Sequence, residues 1–159
     1  MNKKFYSLIF FIITLNTVNP IWGQYKSLIN FYFNKIDSFK YTDYSKMYSY
    51  AKNAYQLSEA AKDTFFMGRA AKELGAYYIF RGKQDSALYY SDLAFKFSKH
   101  VRDSLNLSHV ANNLGSIYQD LANYDSAYKY FSISYHINVD LNNDAELLTD
   151  FNNLGMLFY

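Results

Sequence analysis

A chain of 159 residues, half of them hydrophobic and 19% charged, is long enough for one domain with a sizeable core and too apolar to stay disordered. The absence of cysteine excludes disulfide staples and thiolate metal sites, and leaves the redox compartment open. A formal net charge of only +2 makes nucleic acid a poor partner, while eighteen Tyr and fourteen Phe against one Pro and six Gly predict long helices with aromatic packing.

The chain opens with Lys3-Lys4, an apolar run from Phe5 to Leu15 and a polar stretch with Pro20 before Trp22-Gly23-Gln24, the pattern of a secretory signal. The run is shorter than the roughly 20 residues a membrane span needs, so residues 1–23 are expected to be cleaved off. The mature chain is then exported, to a periplasmic or extracellular location. An uncleaved anchor is the alternative, because Ile21 is larger than the usual residue three before a cut. Without Lys3 and Lys4 the chain carries 14 basic and 14 acidic residues, unevenly spread: +2 over 24–60, +3 over 61–104 and −5 over 105–159. Such opposed ends can steer a partner or another copy of the chain.

Residues 24–64 hold a helix somewhere in Ser27 to Phe39, followed by one from Tyr44 to Ala61. Residues 65–104 are more regular: Leu74, Gly75 and Tyr78 share a helical face, Gly82 suits a helix end with positive φ, and Ala87, Ser91 and Ala94 share the next face. Asp85 falls in the first turn of that second helix, where the dipole favours an acid. Residues 105–144 repeat the pattern with Leu114, Gly115, Tyr118, Ala127, Phe131 and Ser134; Ala122 takes the turn position and Asn123 a helix cap. Residues 145–159 bring Leu154, Gly155 and Phe158, the third Leu-Gly pair at a spacing of forty. Small Gly and Ala let two helices approach, Tyr78, Tyr118 and Phe131 are expected in the core between them, and Tyr90 and Phe95 are candidates to fill the space beside Ser91.

Chemistry is hard to find along this chain. His100, His109 and His136 lack metal-ligand spacing, and there is no Gly-rich phosphate loop, nucleophile elbow or Cys nucleophile, so neither an enzyme nor a cofactor is expected.

The spacings Leu-Gly-x-x-Tyr and Ala-x-x-x-Phe resemble the tetratricopeptide repeat, in a long-period form of about forty residues. The resemblance implies an all-α, right-handed superhelical solenoid of antiparallel helix pairs, with 24–64 a degenerate first repeat and 145–159 the first helix of an incomplete one. It also implies a binding groove lined by the first helix of each repeat, here Arg69, Lys72, Ala76 and Ile79; His109, Asn112, Ser116 and Gln119; and Thr149, Asn152 and Met156. Relatives that clamp a peptide carboxylate use a Lys and Asn pair; Lys72 matches the first and Ala76 departs from the second. Asn112 and Asn152 are candidates to bind a partner's backbone through their amides.

The expected function is therefore a non-catalytic scaffold that holds a protein or peptide. The phrasing Asn-Asn-Leu-Gly at this period is similar to exported repeat regions of bacterial membrane signalling proteins, which makes these residues a sensory part and predicts further chain beyond Tyr159. The alternative is a stand-alone exported module that self-associates through residues 145–159, whose Leu148, Phe151, Leu154, Leu157 and Phe158 have no following helix to cover them.

Overall fold

The computed structural model describes the backbone of residues 3–158 and the side chains of residues 21–158. Its helices are α1 (Lys3–Phe39), α2 (Tyr44–Ala60), α3 (Thr64–Phe80), α4 (Gln84–Val101), α5 (Ser104–Asp120), α6 (Tyr124–Asp140) and α7 (Asp144–Met156), and the described residues contain no strand. The fold is all-α. α1 is longer than the helix expected between Ser27 and Phe39. The expected signal segment lies, up to residue 20, outside the described side chains.

From α2 onward the connectors are alike, three residues long except for the two residues between α4 and α5. Residues with positive φ recur at Lys62, Gly82, Arg102, Ala122 and Asn142, twenty apart. Each is followed by the cap of the next helix, and Asp63, Asp103 and Asn123 accept a hydrogen bond from the backbone N–H three residues on. The residue after each turn donates its N–H back to the sixth-to-first carbonyl, as in Asp63 to Ser58, Lys83 to Tyr78 and Asn123 to Tyr118. This is the Schellman closure, which satisfies carbonyls left open at the helix end. Only Gly82 meets the left-handed backbone without steric cost. Ala122→Gly is therefore expected to stabilise the chain by about 1 kcal/mol, a rise of about 2–4 °C in melting temperature. A lower melting temperature would show that the turn is not held at positive φ.

Helices consecutive in the chain pack against each other, and α3 also touches α5. Tyr44 at the start of α2 stacks on Phe80 at the end of α3, ring centroids 4.0 Å apart, so these neighbours run antiparallel. Contacts one helix further on sort the chain into two rows. Phe33 meets Phe66 across α1 and α3, and Asn112 bonds Asn153 across α5 and α7. On the other side Tyr55 meets Tyr90 across α2 and α4, and Phe95 meets Tyr130 across α4 and α6. The odd helices thus form one layer and the even helices the other, with the apolar core between them.

Small residues set how closely the layers approach. A Cβ on Gly115 would overlap the Phe131 ring, and one on Gly75 would lie 2.7 Å from Ser91 Oγ. Phe131 is fully buried, as expected. Tyr78 and Tyr118 are only half-buried, at variance with the expectation of core. Their rings instead stack on Tyr90 and Tyr130, both with centroids 5.5 Å apart and nearly parallel planes. Phe39 and Tyr50 form the same stack one pair earlier, at 5.9 Å. Tyr90 thus lies beside the small Ser91 as a stacking partner, while Phe95 packs edge-on against Tyr130. The amphipathic phenol ring suits this half-exposed position, with one face dry and the hydroxyl near water. The hydroxyls of Tyr48 and Tyr78 lie 3.3 Å apart, and that bond followed by burial pushes Tyr78 up to about 12, so its proton stays on.

Candidate groove site

The odd-helix layer carries two adjoining cavities that share Lys40, Lys72 and Glu73. The first, of about 210 Å³, adds Ala76, His109, Asn112, Asn113 and Glu146. The second, of about 470 Å³, adds Asn30, Phe33, Asn34, Asp37, Phe66 and Arg69. Together they make a groove running from α1 across α3 and α5 to the first turn of α7. The helices present these side chains because alternate helices lie side by side and parallel, bringing residues about forty apart in sequence onto one surface.

Glu73 is the centre of this surface. It is 5% exposed, and its Oε1 lies 2.9 Å from Lys72 Nζ. Its Oε2 lies 3.7 Å from Lys40 Nζ, close enough for attraction but too far for a hydrogen bond, and has no other partner. Burial by itself would raise the carboxyl, but Lys72 and Lys40 overrule it and hold Glu73 below the usual carboxylate range. Two ammonium groups face one carboxylate here, and the His109 imidazole sits 3.6 Å from Glu146 at the far wall. Burial, then Lys72, holds His109 below the usual histidine range against the opposing pull of Glu146. At neutral pH the imidazole is thus uncharged and offers both a donor and an acceptor.

Both shifts weaken the fold in acid. The unfolded chain protonates His109 near its ordinary value of 6.5, above the folded value, so stability falls as pH drops through that point and levels off once the folded form is protonated. Glu73 contributes stability above its ordinary value of 4.5 that is lost as pH falls through its lower folded value. Urea midpoints measured against pH are expected to fall in two stages, and His109→Gln is expected to flatten the one between about pH 5 and 7 while leaving the more acid one. An unchanged profile in the variant would remove His109 from the linkage.

Among the residues that the sequence pointed to, Arg69, Lys72, Ala76, His109 and Asn112 line the groove. Asn112 also bridges helices: its Oδ1 accepts from Asn153 Nδ2 at 2.6 Å, which leaves its own amide hydrogens for the groove. Ile79, Ser116 and Gln119 are half-buried further along α3 and α5, and Thr149, Asn152 and Met156 are exposed on α7; none of these six is in the walls of either cavity. Arg69 spreads its guanidinium over Phe33 and Phe65, 5.8 and 5.4 Å from the ring centroids, which fixes one wall of the larger cavity. Lys40, Glu73, Asn113 and Glu146 were not foreseen. The usable signal for Asn113 and Glu73 was their register, forty apart and each one residue before a Leu-Gly pair.

Among the described residues no group of three or more His, Asp or Glu side chains is placed to hold a metal ion, and no helix is long and apolar enough to cross a membrane. No protein-family model matches the chain, and neither does any curated protein.

Proposed function

We propose that this chain is a non-catalytic scaffold of the tetratricopeptide type, a right-handed solenoid of antiparallel helix pairs that binds a protein or peptide segment in the groove of its odd helices. One observation carries the proposal: polar side chains from four successive odd helices line one open, elongated surface that crosses Lys40, Lys72 and Glu73. An extended peptide needs such a surface, with donors and acceptors spaced along it for backbone groups and side chains. Lys40, Arg69 and Lys72 balance Asp37, Glu73 and Glu146, so the groove selects by position of charge and not by net charge. The export reading is part of the proposal and rests on Lys3, Lys4 and the apolar run after them, with a sensory or interaction role outside the cytoplasm as its consequence.

Selection of a displayed random-peptide library on the chain, followed by titration of the selected peptides, tests the reading. Lys72→Ala and Asn112→Ala are each expected to weaken the selected peptides about tenfold, the effect of roughly one lost hydrogen bond to a charged or well-placed polar group. Peptides that bind both variants as well as the parent occupy some other surface, and the groove assignment then fails.

A further inference from the structure

One polar atom in the groove is left unserved by the chain itself. Glu73 is 5% exposed and stands in the walls of both cavities; Lys72 pairs with its Oε1, yet its Oε2 has no hydrogen-bond partner. Burial favours the protonated carboxyl, but Lys72 and Lys40 overrule it and keep the group charged, so Oε2 is purely an acceptor. A buried acceptor without a donor is unfavourable, and a ligand that brings a donor relieves it. Lys40 does not do so. Its Nζ lies 3.7 Å away, and its side chain, reaching in from the connector after α1, is one-third exposed. Lys40 can turn aside by rotating about its own flexible stem, with no helix moving.

Donors border the same space. Asn112 gives its Oδ1 to Asn153 at 2.6 Å, which leaves its Nδ2 hydrogens for the groove. Lys72 uses one of its three donors on Glu73 Oε1 and keeps the others. The cavity of about 210 Å³ thus joins an acceptor that lacks a donor to donors held in reserve, and Ala76 adds only a methyl group to its wall.

Charge narrows what fits. Lys40 and Lys72 cancel Glu73 and Glu146 in these walls, and His109 is uncharged at neutral pH. A ligand carboxylate would find Lys72 and Asn112 but would repel Oε2 and bring no proton for it. A ligand ammonium or guanidinium would serve Oε2 but would stand beside two ammonium groups. A carboxamide meets both demands without a charge of its own: its carbonyl oxygen accepts from Lys72 or Asn112, and its NH2 donates to Oε2.

We propose, resting on the peptide-groove reading, that the cavity bordered by Lys72, Glu73 and Asn112 is a carboxamide subsite that reads a Gln or Asn side chain of the bound peptide. The ligand NH2 takes the place of the Lys40 ammonium beside Glu73 Oε2, and Lys40 turns out into the groove. The subsite gives the groove a sequence preference that contacts to a peptide backbone alone would not.

Peptides selected on the chain and weakened by both Lys72→Ala and Asn112→Ala are expected to share a Gln or Asn. Synthetic versions with that residue changed to the matching acid, to Lys or to Met, titrated calorimetrically on the parent chain, are each expected to bind about tenfold more weakly. Glu73→Gln puts an NH2 donor where Oε2 accepted, and is expected to reverse the order, so that the acidic version binds better than the carboxamide. A residue that only supported the fold would not reverse it, and the titrations on the parent chain decide by themselves if Glu73→Gln does not fold. Groove peptides that lack a carboxamide, or that keep their affinity when it is replaced, overturn the subsite and leave the groove reading standing, as does a folded Glu73→Gln chain that still prefers the carboxamide. Peptides indifferent to Lys72→Ala and Asn112→Ala overturn both.

Discussion

Replacing Phe131 by alanine is expected to lower the unfolding free energy by about 3–5 kcal/mol, seen as a reduced urea midpoint at an unchanged slope. Phe131 is the largest of the fully buried side chains, and its ring occupies the space that the missing Cβ of Gly115 leaves between α5 and α6. Removal of the ring opens a cavity that two helices joined by a three-residue connector cannot close by collapsing, because their ends are pinned by the Schellman turn at Ala122 and the Asn123 cap. The same seam is sensitive from the other side. Gly115→Ala gains helix propensity of up to about 1 kcal/mol but forces the ring aside, with an overpacking cost of about 1–3 kcal/mol, so its net effect is destabilising. Phe131→Leu placed on top of Gly115→Ala is expected to recover part of that loss, a coupling that a double-mutant cycle measures. Gly75→Ala should be milder, since its new Cβ meets the movable Ser91 hydroxyl. A loss below about 1.5 kcal/mol for Phe131→Ala would mean that the α5–α6 seam repacks freely and is not the close contact described.

The period of forty was readable because three Leu-Gly pairs mark it, and those residues are where helices meet: Leu74 and Leu114 are buried and their glycines face the next helix. The finer period of twenty was not. Helices of the two layers have different faces, and the turns that do recur every twenty residues use Lys62, Gly82, Arg102, Ala122 and Asn142, which share a backbone shape but no side-chain type. Hydrogen bonds of the closure stabilise the left-handed residue whatever it is, so Gly82 advertised its role by residue type and Ala122 only by standing forty residues after it. The groove was half legible for a related reason. The resemblance to the tetratricopeptide repeat pointed to Lys72, His109 and Asn112 as groove residues, and all three line the first cavity. Glu73 stands next to the buried Leu74, where a charge reads as an ordinary solvated residue; its burial depends on Lys40, which arrives from the connector after α1, and on Lys72 folding back over it. Contacts of that kind exist only after the helices have packed. The half-burial of Tyr78 and Tyr118 was missed for the same cause, because stacking on Tyr90 and Tyr130 leaves one edge of each phenol at the surface.

Glu73→Ala is expected to destabilise the chain by about 3 kcal/mol, because it removes the carboxylate paired with both Lys72 and Lys40 and leaves a confined ammonium without its nearest counter-charge. The two lysines share the damage unequally. Lys40 is one-third exposed and can turn into water, whereas the Lys72 side chain is 13% exposed and holds its ammonium 2.9 Å from the carboxylate. The value stays at the low end of the range for broken buried pairs because Lys72 borders an open groove and can extend into it. Removing both partners separates pairing from burial. The double change Glu73→Leu with Lys72→Met leaves no unpaired charge and is expected to recover most of the stability, since apolar replacements of buried ion pairs are often neutral or better. If stability recovers while the selected peptides no longer bind, Lys72 and Glu73 serve recognition and their pairing is a burden that the fold tolerates. If the double variant stays as unstable as Glu73→Ala, the carboxylate supports the packing of α1 against α3 through Lys40, and the attraction across 3.7 Å matters more than its length suggests. The acid limb of the pH profile is expected to shrink in both variants, because each removes the carboxylate that Lys72 and Lys40 hold below its ordinary range.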